Sequence, residues 1–262
     1  MEHSKTASAM RWTAAGCAAM LTGLRILIIQ TSFDENGLLP RGSHALTVTV
    51  LAAVSAFVCL WLLSMRLSRD PGTETCFASS PEWMAVRLAA AILIFFGSVC
   101  ILLEGRDTLE QVDQLTAFGG ILSALLLGAV AVLVRRGNGT FWLRLVPAVF
   151  TVAALILRFR TWSHDPLVIH IAPVLLAWTC CMVEMMLLSG FSLRAGRRRS
   201  GALFGLSAGV FTCMVVPDYV LGVRNGLPDL LTLLGLALWC AAAGLELLRA
   251  PEQPKAPEPE VQ

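Results

Sequence analysis

The chain predicts an all-α, polytopic membrane bundle of eight transmembrane helices, and three observations carry that prediction. Of its 262 residues 56% are hydrophobic and only 15% charged, where soluble domains carry about a quarter charged residues. Its mean hydropathy is +0.71, and a water-soluble fold of this length could not hide so much apolar surface in one core. The apolar residues also come in long runs, each close to the ~20 residues a helix needs to cross a bilayer.

The runs fall at residues 12–30, 45–65, 83–103, 114–134, 140–158, 167–189, 201–220 and 229–248. The first follows Lys5 and Arg11 as a signal peptide would. However, no A-x-A-like site closes it, and Arg25 interrupts it. "TAAGC", ending at Cys17, has its apolar run after the cysteine, where a lipoprotein signal has it before. The first run is therefore read as a span. The next seven are parted by "DENG", "RDPGTE", "EGRDTLEQVD", "RRGNGT", "SHDP", "RAGRRRSG" and "RNGLPD", short segments rich in turn formers. Residues 1–249 thus form one integral membrane domain. The tail 250–262, "APEQPKAPEPEVQ", is rich in proline and glutamate and predicts disorder.

Spacing suggests an internal duplication, 12–136 against 140–249. His44 precedes Arg66 across span two as His170 precedes Arg194 across span six, and Asp113–Arg135 rhymes with Asp229–Arg249. Four spans per copy would make the repeats parallel.

Lysine and arginine set the orientation. Lys5, Arg11, Arg66, Arg69, Arg135, Arg136, Arg194, Arg197, Arg198, Arg199, Arg249 and Lys255 fall on one side, and Arg41, Arg106, Arg160 and Arg224 on the other, mixed with acids. The positive-inside rule places both termini in the cytoplasm of a multi-pass cell-membrane protein. Short loops and no organelle signal point to a bacterial-type plasma membrane. Arg197–Arg199 reads as a topogenic anchor, with lipid-phosphate contact as the second reading.

Several function classes find no support. A net charge of +2 with no basic face argues against nucleic acid. Nucleotide, dinucleotide, zinc-protease and serine-hydrolase motifs are absent. Only four histidines occur, none paired at helical spacing, so no metal or cofactor is expected. Seven of the eight cysteines lie inside apolar runs and read as packing residues.

Ionisable groups inside spans are the default functional candidates, subject to depth. Arg87, Arg144 and Glu184 lie near the predicted cytoplasmic ends of their spans, where snorkelling or a local ion pair accounts for them. Glu246, beside Arg249, is expected to be solvated. Arg25 lies deeper and has no local carboxylate; Glu104 and Asp218 are the acids at its level. In "LRFRTWSHDPLVIHIAP", Arg158 ends span five and His170 opens span six, beside Pro173. Arg25, Glu104, Arg158, His170, Asp218 and Tyr219, the single tyrosine, therefore predict a ligand site in the outer third of the bundle.

Three functions fit that layer. A small-molecule binding or transport module would use Arg25 and Arg158 to hold a small anionic or polar ligand. A non-catalytic membrane subunit or scaffold would need a partner chain instead. A lipid-headgroup enzyme would need His170 and Asp218 within hydrogen-bond reach as acid and base.

Overall fold

The computed structural model describes residues 2–32, 44–67, 71–72, 77, 81–104, 111–133, 141–162, 168–193, 196–222 and 226–249. Eight helices follow in order: α1 (Glu2–Ser32), α2 (Ala45–Ser64), α3 (Pro81–Glu104), α4 (Gln111–Leu133), α5 (Phe141–Trp162), α6 (Val168–Phe191), α7 (Arg198–Val220) and α8 (Leu227–Arg249). All eight are long and apolar enough to span a membrane. The expected spans are present, with α1 beginning ten residues earlier than the apolar run. The tail 250–262 and most inter-helix segments, including "SHDP", lie outside the described residues. Eight crossings bring Glu2 and Arg249 to one face, here termed the terminal face.

Helices α3 to α8 pack each on the next, and α8 closes the ring against α3. The α1–α2 hairpin lies outside this ring, against α7. Burial confirms which helices are central: 72% of the span is buried in both α7 and α8, but 22% in α1.

Close approach in lipid rests on small residues, since van der Waals packing rather than the hydrophobic effect joins the helices. Glycines supply it along α8. A Cβ at Gly205 of α7 would stand 2.5 Å from the Cys240 carbonyl oxygen of α8 and 3.0 Å from the Gly244 Cα. Across the α3–α8 contact, a Cβ at Gly97 would meet the Pro228 oxygen at 2.7 Å, and one at Gly235 the Ala90 oxygen at 2.7 Å. Backbone cannot yield as a side-chain tip can. Gly205→Val is therefore expected to cost about 1–3 kcal/mol through overpacking. Gly23→Ala on α1, which would meet nothing within 4 Å, serves as its control and is expected to cost no stability. Thermal unfolding in detergent checks both.

On the terminal face, Pro71–Gly72 (β1) pairs antiparallel with Gly196–Arg197 (β2), tying the approach to α3 to the start of α7. Phe77, from the same connection, is buried and packs edge-on against Phe191 of α6, with centroids 5.0 Å apart.

Candidate functional site

The structure resolves the polar side chains into two layers of fasteners and one groove. In the layer far from the termini, Arg25 of α1 donates to both carboxylate oxygens of Asp218 on α7, Nε at 2.6 Å and Nη2 at 3.1 Å. Both side chains are 2% exposed. Of the two acids at that depth, the partner is Asp218. Arg158 of α5 donates to Asp229 of α8 at 2.7 Å and stacks 4.5 Å above the Trp178 ring. Tyr219, beside Asp218, is half-buried and packs against the core. Glu104 ends α3 and His170 lies in the first turn of α6; their side chains lie outside the described residues. Of the six residues read as one outer site, Arg25 and Asp218 are brought together. Arg158 is held by an acid that the sequence assigned to a loop.

The layer near the termini differs from expectation. Arg87 and Arg144 do not snorkel, and Glu246 is not solvated; all three are buried. Arg87 of α3 pairs with Glu246 of α8. Arg144 of α5 donates to the Leu188 carbonyl of α6 at 3.0 Å. The two guanidinium groups each lie 5.1 Å from the ring centroid of Phe77, a double cation–π contact. The physical reason is lateral position. Snorkelling needs a path to water, and near these helix ends the central α8 and the inserted Phe77 close it.

A common logic links the three ion pairs found among the described residues. Each acid lies on central α7 or α8, and each arginine on a surrounding helix, α1, α3 or α5. In a medium without competing water, a doubly bonded carboxylate fixes both position and rotation of the helix it holds.

The groove has a different composition. α2 and α6 flank α7 without packing on each other, leaving α7 as the floor of a gap. Toward the terminal face, between α2 and the start of α7, lies a pocket of about 620 Å³ lined by Arg197, Arg198, Arg199, Ser64, Ser200 and Trp61, with Phe57, Leu203 and Phe204. Toward the other face the gap is an apolar groove of about 420 Å³, lined by residues including Val50, Val54, Pro173, Leu176, Phe211 and Met214. Phe57 and Phe204 line both parts. Their rings stand 5.9 Å apart, so the basic pocket and apolar groove meet at this aromatic pair.

No family model, curated protein or solved structure matches the chain. Function is therefore argued from the site's own chemistry.

The basic end is built by the entry into α7. Arg197 is the N-cap residue, with extended backbone (φ −106°, ψ 94°) and no side-chain capping bond. The α7 N-terminus adds its own partial positive charge and free amide groups. Arg198 is buried and donates to the Leu247 carbonyl at 2.7 Å, anchoring the turn to α8. Arg197 is exposed and Arg199 half-buried. Among the described residues, neither has a carboxylate partner, and no acid lines the pocket. Among the described residues, Arg25, Arg87 and Arg158 each have an acid, and Arg197 and Arg199 have none.

Proposed function

We propose that this protein is a membrane module that binds or transports an anionic amphiphile, a molecule with a phosphate-like head and a long apolar chain. The observation that carries the reading is the juxtaposition of a basic pocket and an apolar trough, which share Phe57 and Phe204 as lining residues. The head would lie against Arg197, Arg199 and the first turn of α7. Arginine suits it because the guanidinium fork matches phosphate oxygens in pairs. The chain would run beside α2 from Trp61 towards Thr49, about 18 Å by helical rise. That exceeds one leaflet of a ~30 Å hydrocarbon core, which favours a long single chain.

The reading keeps the anionic ligand expected from the sequence and moves its site. Arg25 and Arg158, the residues expected to hold the anion, each bond a carboxylate instead. By the positive-inside rule the basic pocket faces the cytoplasm, and both termini with it.

Solvent extraction of the purified protein followed by phosphate analysis tests the proposal. Wild type is expected to carry close to one organic phosphate per chain beyond the loosely held lipid removed by prolonged detergent washing. Arg197→Gln/Arg199→Gln is expected to lose it. A wild-type protein that carries no retained phosphate, but keeps a stoichiometric protein partner, would replace the proposal with a subunit role in which a partner helix fills the apolar trough.

A further inference from the structure

One buried acid takes no part in either fastening layer or in the groove. Glu184 of α6 is fully buried, and neither carboxyl oxygen has a hydrogen-bond partner among the described residues. It lies two turns from the end of α6, expected from the sequence to reach the surface or a local cation. The structure shows why it does neither. Its Oε1 stands 3.6 Å from where a Cβ on Gly201 of α7 would be, and Leu247 of α8 and Phe191 of α6 close round the same point.

The polar groups around it are all committed elsewhere or weak. From α7, Arg198 bonds the Leu247 carbonyl; from α5, Arg144 bonds the Leu188 carbonyl, one turn beyond Glu184. From α8, Glu246 pairs with Arg87, and Cys240 points its thiol at the Cys181 carbonyl, 3.9 Å away. Cys180 and Cys181 are the nearest titratable groups on α6 itself, and both are free thiols. Among the described residues, no cation reaches the carboxyl.

An ionised carboxylate enclosed without a partner is far more costly than a neutral acid in the same place. We propose that Glu184 is a proton-binding site within the membrane, with the proton as its ligand. In this conformation it is a neutral carboxylic acid. Release breaks the O–H bond, leaves the electron pair on the carboxylate and passes the proton to water. That requires α6 to part from α7 at Gly201. The position suits such access, because Cys180, one turn earlier on α6, lines the apolar groove, while Ser200, next to Gly201, lines the basic pocket. The assignment does not depend on what occupies the groove.

Infrared spectroscopy of the full chain in a detergent without ester groups tests it. The wild-type spectrum at pH 7 is expected to contain a carboxylic-acid C=O band, and Glu184→Gln to lack one such band, with an unchanged thermal midpoint because the amide mimics the neutral acid in shape. Should that variant not fold, Glu184→Asp gives the second reading, since it keeps the acid and is expected to shift the band without removing it. A wild-type spectrum without the band would overturn the proposal. So would a Glu184→Gln difference spectrum that loses carboxylate bands instead, or a wild-type midpoint that rises with sodium or potassium, which would mark a cation site.

Discussion

Arg25→Ala and Asp218→Ala are each expected to destabilise the protein by about 3–5 kcal/mol, the cost of leaving one member of a buried ion pair alone. The pair is bidentate and both partners are almost fully covered, so neither charge can recover its solvation when the other is removed. The attraction itself is not the source of that cost. Arg25→Met/Asp218→Leu, which removes both charges and keeps the volume, is therefore expected to regain most of the stability. α1 should also be the element that loosens in the single variants, because it lies outside the ring against α7. Unfolding midpoints for the three variants, with hydrogen exchange over α1, check this. Single variants that stay fully stable and merely lose a bound ligand would restore Arg25 to the role the sequence suggested.

Val54→Trp is expected to reduce binding of long-chain anionic lipid by at least tenfold while leaving stability unchanged. Val54 lines the apolar groove and is largely exposed, so a larger side chain fills the trough without overpacking the core. Each CH₂ kept out of an apolar site forfeits about 0.8 kcal/mol, and two displaced CH₂ groups suffice for a tenfold loss. Short-chain analogues, whose tails end near Phe57 and Phe204, should bind the variant as they bind wild type. Equal loss for short and long chains would mean that the two parts of the groove do not hold one ligand.

The eight helices were legible because the length of an apolar run is set by bilayer thickness, which composition alone reveals. Depth was legible for the same reason: counting residues from the span ends left Asp218 and Glu104 as the acids facing Arg25, and Asp218 is the partner. Lateral position was not. In lipid, a residue facing the core and one facing the acyl chains are both apolar, so nothing in α8 announced that it is central. Hence Glu246, near a helix end, looked solvated and is buried against Arg87. Asp229 stood among turn residues in "RNGLPD" and holds Arg158.

The groove was hidden for a related reason. Val50, Val54, Phe211 and Met214 are unremarkable members of apolar spans, and only the docking of α2 on the α1 side of α7 leaves a gap beside them. Arg197–Arg199 was visible as a basic run. That no described acid lines its pocket became apparent only from the structure.

Native mass spectrometry of protein released from mild detergent tests the central claim most directly. An anionic lysophospholipid and a zwitterionic one with the same single chain would be offered to wild type and to Arg197→Gln/Arg199→Gln. Hydrogen bonds to charged groups contribute about 1.5–3 kcal/mol each, so losing the equivalent of one corresponds to roughly a 10- to 100-fold change. The account predicts that wild type retains one anionic lipid against a zwitterionic competitor, and that the double variant loses this preference by that factor. Equal retention of both lipids by wild type, or an undiminished preference in the double variant, would contradict it.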